Sequence, residues 1–166
     1  MRLILILPLA GIAGCATAVE LPADRQAYFD PISFFEGGTQ GTGRLQRIFA
    51  SPERLQVESS GRRSKDGELQ LTQRIQHGEK PARTRVWTIR RVSTGHYTGT
   101  LTEAVGPVEV RTAGPRATVR YAMKGGITVR QQLALQPGGR TLLNHLEVRK
   151  WGVRVAKLEE TIRKLP

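Results

Sequence analysis

Leu69-Gln70-Leu71-Thr72-Gln73-Arg74-Ile75-Gln76 is the stretch on which the fold turns. Leu69, Leu71, Gln73 and Ile75 fall on one parity, and Gln70, Thr72, Arg74 and Gln76 on the other. Successive side chains of a strand point to opposite faces, so this segment reads as a strand with one dry side and one wet side. The same alternation returns along the chain. Trp87 pairs with Ile89, and Val119 with Tyr121 and Met123. Ile127, Val129, Gln131, Leu133 and Leu135 share a face, as do Leu142, Asn144, Leu146 and Val148. One buried and one solvated face is the signature of antiparallel sheet.

Working outward, the spacing predicts strands at about 42–49, 53–60, 68–76, 84–92, 96–101, 105–112, 117–124, 127–136 and 141–150. Turn residues separate them, among them Lys65-Asp66-Gly67, Ser93-Thr94-Gly95 and Pro137-Gly138-Gly139. Gly125-Gly126 suits a two-residue hairpin turn, where positive φ is required. Short strands at this spacing, with no obvious helix, predict an all-β domain. Closing the sheet removes exposed edges, so a single antiparallel barrel of about 8–10 strands is expected over residues 42–166. The last segment stays open: Val155, Leu158 and Ile162 fit a helical stripe, and also a strand whose parity shifts at a bulge.

Ahead of the barrel lie two other segments. Residues 1–14 begin Met1-Arg2, continue through an apolar run and end in small residues, the pattern of a secretory signal peptide. The run is far shorter than the ~20 residues a spanning helix needs. Ile12-Ala13-Gly14-Cys15 matches the bacterial lipoprotein cleavage box: small side chains suit the peptidase cleft, and the Cys15 thiol takes up the diacylglyceryl group. Cys15 is the single cysteine of the 166-residue chain, which excludes an intramolecular disulfide framework. Two or three acyl chains on it would anchor the protein without a spanning helix. The membrane is therefore an expected partner. Ala16 rather than Asp after the cysteine points to the outer membrane, facing the periplasm. Residues 15–41 then read as a tether and an aromatic plug, since Tyr28 to Gly37 holds three of the four phenylalanines.

The formal net charge is +12, with 26 Lys+Arg against 14 Asp+Glu. The cations are spread along every strand and no aromatic-basic RNA motif accompanies them, so no nucleic-acid partner is expected. Anionic lipid headgroups remain a candidate partner for this surface. Gly37 to Arg44 resembles a phosphate loop but lacks the Lys-Ser/Thr pair after its last glycine. It reads as a glycine-rich entry into the first strand. There is no Gly-x-Ser-x-Gly elbow and no acid–base pair, and neither a metal site nor a cofactor is expected. His145 falls on the wet face of its strand. An enzyme is not expected.

Arg85-Val86-Trp87-Thr88-Ile89, Gly95-His96-Tyr97-Thr98-Gly99-Thr100, Leu143-Asn144-His145 and Lys150-Trp151-Gly152-Val153 together resemble a bacterial lipoprotein family, domain of unknown function 3833. Phe34-Phe35-Glu36-Gly37 and the terminal Lys164 fit the same resemblance. It implies a lipocalin-like barrel behind a lipoprotein leader, without established catalytic residues, and favours a strand for the last segment. The chain departs from it at Gln131-Gln132-Leu133, where relatives tend to show an acidic pair followed by Trp.

The expected function is a membrane-anchored envelope barrel, monomeric and non-catalytic, holding an apolar or amphipathic molecule such as a lipid. The alternative is a filled barrel whose outer face docks a partner protein. Parity directs three amides, Gln73, Gln131 and Asn144, toward the dry face. Trp87, Tyr97 and Tyr121 can line the same interior. These six are the candidate ligand-binding residues, and Cys15 is the candidate lipidation site.

Overall fold

The computed structural model describes residues 21–23 and 27–166. The leader and Cys15 lie outside the described residues. The one helix among them, α1, is the single turn Pro31–Phe35. Asp30 is held in extended geometry (φ −110°, ψ 111°), as a residue before proline prefers, and its Oδ1 accepts from the Ile32 and Ser33 amides at 2.9 and 3.4 Å. Proline at the first helical position lacks only an amide hydrogen that would go unused, so Asp30-Pro31 both restricts the chain and starts the helix.

Ten strands follow: β1 (Gly37–Arg47), β2 (Glu53–Arg63), β3 (Leu69–His77), β4 (Arg83–Ser93) and β5 (His96–Leu101), then β6 (Val108–Ala113), β7 (Arg116–Met123), β8 (Ile127–Leu135), β9 (Thr141–Lys150) and β10 (Val153–Lys164). Each pairs antiparallel with its chain neighbour, and β10 returns to β1, giving a closed up-and-down barrel. The last segment is thus a strand. Its register with β9 shifts between Arg154 and Ala156, and this bulge is what lets Val155 and then Leu158 both reach the interior. β1 begins at Gly37, five residues before the sequence pattern suggests. Pairing with Gly61 of β2 at that end overrides the low strand propensity of its glycines. The turn between β7 and β8 has three residues, Lys124 to Gly126, because Met123 pairs with Ile127; both of its glycines take positive φ.

The inward parity of every strand supplies the core. Leu69, Tyr97, Val108, Val110 and Leu142 are almost wholly buried. The outward parity is polar: Gln70, Thr72, Arg74, Arg120 and Arg130 are exposed. A membrane-spanning barrel has the reverse arrangement, so this barrel is built for water outside and oil within. His145 does point outward, yet it is only 6% exposed, flanked in the ladders by Gln132 and Glu159.

One end of the barrel is closed. Phe29, Ile32, Phe34 and Phe35 are buried there. Phe34 packs edge-on against both Phe29 and Phe35, with ring centroids 5.8 and 5.0 Å away. Gly61 makes room for α1, since a Cβ there would sit 1.9 Å from the Phe35 carbonyl oxygen. The Lys164 ammonium donates to the carbonyls of Ser33, Phe34 and Glu36 at 2.7, 3.0 and 2.9 Å. Arg91 bonds Asp30, and Arg63 pairs with Glu36 at 2.9 Å. No helix or strand lies across the other end among the described residues.

Candidate functional site

A cavity of about 580 Å³ runs down the barrel, from Pro31 and Phe35 under the plug to Arg47, His77 and Arg83 at the far rim. Its wall is mainly apolar, with Leu55, Leu71, Val119, Val129, Leu133 and Leu146 contributing. That volume lies inside the ~300–1,000 Å³ typical of small-molecule pockets.

β1 is the reason part of the space exists. Its inward positions between Thr39 and Leu45 are Gly41 and Gly43, so this wall carries almost no side chain. A Cβ on Gly41 would meet the Glu160 Oε1 at 2.1 Å, and one on Gly43 would meet the Glu159 carbonyl oxygen at 2.6 Å. The glycines that resemble a phosphate loop in sequence instead seat a carboxyl group inside the barrel.

Polar groups gather at mid-depth. On β3 and β4, Gln73 Oε1 accepts from Trp87 Nε1 at 2.7 Å and from Arg85 Nε at 2.9 Å, while Gln73 Nε2 donates to Ser59 Oγ at 3.2 Å. The Arg85 guanidinium stands 5.2 Å from the Trp87 ring centroid, and Tyr121 meets that ring edge-on at 5.6 Å. The Tyr121 hydroxyl faces Gln131 and Arg85; burial nevertheless pushes its pKa up. Across the lumen, Asn144 Nδ2 donates to Glu160 Oε2 at 2.9 Å. Asn144 is 5% exposed and its Oδ1 has no hydrogen-bond partner. Burial holds the Glu160 carboxyl above the usual carboxylate range, although Asn144 and the positive Arg85 both pull it down.

Gln73, Trp87, Tyr121, Gln131 and Asn144 all line this cavity. Tyr97 does not: it is fully buried on β5 toward the plugged end, with the Arg91 guanidinium 5.3 Å from its ring centroid. In the mid-depth belt, Arg85 and Glu160 escape the sequence reading. Arg85 sits on the parity of Trp87 and Ile89, and Glu160 on that of Leu158 and Ile162, so strand parity alone would have found them. A charged residue on an apolar stripe is easily read as an interruption rather than a lumen group.

The belt offers a fixed cation, a carboxyl biased toward its neutral form, a buried free acceptor and a phenol. Within a mainly apolar tube these suit the head of an amphipathic molecule. No two of them form a nucleophile–base couple.

No curated protein matches this chain. Among solved structures, it is similar to the S-type phycobiliprotein lyase CPES from Guillardia theta, with a TM-score of 0.66 at 6% identity over 81% of this chain and 90% of that one. It is also similar to a protein of unknown function from the DUF3598 family from Nostoc punctiforme PCC 73102, with a TM-score of 0.65 and 12% identity. That match covers 85% of this chain and spans about half, 51%, of the other. At these identities the likeness establishes the barrel fold and nothing about chemistry. The family model described as Protein of unknown function (DUF3833) matches residues 9–164, nearly the whole chain, and the chain belongs to that family.

Proposed function

We propose that this protein is a membrane-anchored envelope lipoprotein whose barrel holds an amphipathic ligand, such as a lipid, without catalysis. The apolar body lies in the lumen and the polar head rests on the Arg85–Glu160 belt. The observation that carries the reading is the buried, unpartnered Asn144 Oδ1 in a cavity of about 580 Å³. An unsatisfied buried acceptor costs about 1–3 kcal/mol, which a ligand hydroxyl or amide hydrogen would recover. A filled barrel would have no use for the side-chain-free wall at Gly41 and Gly43. The anchor is the acylated Cys15, and the compartment is the outer membrane facing the periplasm.

The test replaces Gln131 and Asn144 together by Leu and follows thermal stability beside binding of a fluorescent fatty acid. Binding weakened at least about tenfold, with stability kept or raised, is the expected result. Lost stability with unchanged binding would assign the amides to holding the barrel together. The anchor is tested separately: Cys15→Ser should abolish palmitate labelling, and label retained on the Ser variant removes that part of the reading.

A further inference from the structure

Two hairpin tips at the open rim carry largely exposed aromatic residues. Phe49, between β1 and β2, is 103% exposed, and Trp151, between β9 and β10, is 78% exposed. They are the two non-glycine residues with positive φ among the described residues, at 58° and 49°. Left-handed backbone disfavours side chains with a Cβ, and large aromatic residues are among those rarely found there. Trp151-Gly152 forms a two-residue turn with both φ values positive, which is the geometry that Asn-Gly satisfies best. Tryptophan therefore makes the turn worse and, although one side of the indole rests on Gly126, leaves most of a large ring in water.

The two tips are neighbours. β10 lies between β9 and β1 in the barrel, and the Ile48 amide at the first tip bonds the Val155 carbonyl of β10 at 3.0 Å. Ile48 and Val153 are themselves 51% and 65% exposed, so the arc presents four apolar side chains beside the cavity mouth. The adjacent β7–β8 turn joins it, since the Trp151 amide bonds the Gly126 carbonyl at 3.0 Å. Arg47, Arg54, Lys124, Arg149, Lys150 and Arg154 stand on these three tips, against Glu53 alone among the acids of residues 47–54, 123–127 and 149–154. The Lys150 ammonium is 4.6 Å from the Trp151 ring centroid. Glu53 pairs with Arg47 and Lys80, and Glu147 just below the rim pairs with Arg149 and Arg154. The cations still outnumber the acids.

Charge alone does not choose this end, because the loops around the plug are also basic. What singles it out is the union of exposed aromatic tips, surrounding cations and the entrance to an apolar cavity. Rings that settle at the headgroup level and cations that meet anionic lipids are the two components of interfacial membrane binding. We propose that the open rim docks on an anionic lipid bilayer, with Phe49 and Trp151 entering its interface and the cavity mouth facing the acyl chains.

The inference stands on the rim and not on the identity of the cavity ligand. It is also independent of Cys15, because the chain joins the barrel at the plugged end, where the Phe29 amide bonds the Gly114 carbonyl at 2.9 Å. The test uses residues 16–166, which hold α1 and the whole barrel but neither the leader nor Cys15, so that acyl chains contribute nothing, with vesicles of phosphatidylcholine alone or with phosphatidylglycerol added. Trp87 is 6% exposed, so quenching by acrylamide reads mainly Trp151. Phosphatidylglycerol vesicles should shield Trp151 from acrylamide, and added salt should reverse much of that shielding. Trp151→Asn should weaken vesicle binding about tenfold while leaving the melting temperature equal or higher, since Asn-Gly suits the turn. Trp151 remaining fully quenchable on vesicle-bound protein would overturn the proposal, because some other segment would then be making the contact. Equal binding to neutral vesicles, or no loss in the folded Trp151→Asn variant, would overturn it as well.

Discussion

The two ends of the barrel use the same amino acids in opposite ways. At the plugged end, Phe29, Phe34 and Phe35 are buried in edge-to-face contact, and Lys164 turns inward to bind three carbonyls. At the open end, Phe49 projects into solvent and Trp151, with one side of its indole on Gly126 and Lys150 beside it, stays mostly exposed, both on backbone that neither residue favours. Folding alone explains the first arrangement, since each contact there removes apolar surface from water or satisfies a polar group. It does not explain the second, where replacement by Gly or Asn would relax the turns. The contrast separates an end shaped by stability from an end that, on the proposal above, is shaped by what it meets.

The sharpest way to break this comparison is to make one substitution at both ends. Phe29→Ala removes a fully buried ring and should cost about 3–5 kcal/mol, the range for aromatic truncation in a core. Phe49→Ala should change stability by less than about 0.5 kcal/mol, as surface substitutions usually do. Urea unfolding of the two variants checks this directly. Comparable losses would mean that Phe49 packs against something in solution, and the open end would then not be open.

Most of the barrel was legible because period-two alternation is a local property. β3 from Leu69 to Ile75, β8 and β9 read cleanly, since every inward position there carries a large apolar group or an amide in register with one. Legibility failed where the decisive contact is made by a residue far away in sequence. Gly41 reads as loop until Glu160 is known to lie against it, and Gly61 until Phe35 does. α1 is a single turn, too short for any periodicity, and only Asp30-Pro31 marks it. In β10 the bulge at Val155 mixes strand and helix signals, which is why Leu158 and Ile162 fit both. The cavity belt was half legible: the amides stand out on apolar stripes, whereas Arg85 and Glu160 look like ordinary surface charge. Tyr97 shares strand parity with the core, but its depth along the barrel axis, which parity cannot give, puts it near the plug instead of beside Trp87.

Glu160 sharpens the comparison from the middle of the lumen, and with the smallest expected effect. On the proposed reading the open end admits a ligand without flooding the belt with bulk water, and the Glu160 carboxyl reports on that condition. Burial raises its folded-state pKa above the ordinary value of 4.5, so the folded protein holds this proton more tightly than the unfolded chain does. The associated stability is fully present below pH 4.5 and is lost as pH rises through the raised folded-state value. Glu160→Gln keeps an oxygen for the Asn144 amide and resembles the neutral acid at every pH. Its stability relative to the natural chain should therefore be near parity at pH 4, become positive as pH rises, and level off once the natural carboxyl is ionised. Melting temperatures of the two proteins between pH 4 and 8 measure this difference. A flat or negative difference across that range would mean that solvent reaches Glu160 freely, and the open end would then be a water-filled funnel rather than the mouth of an apolar site.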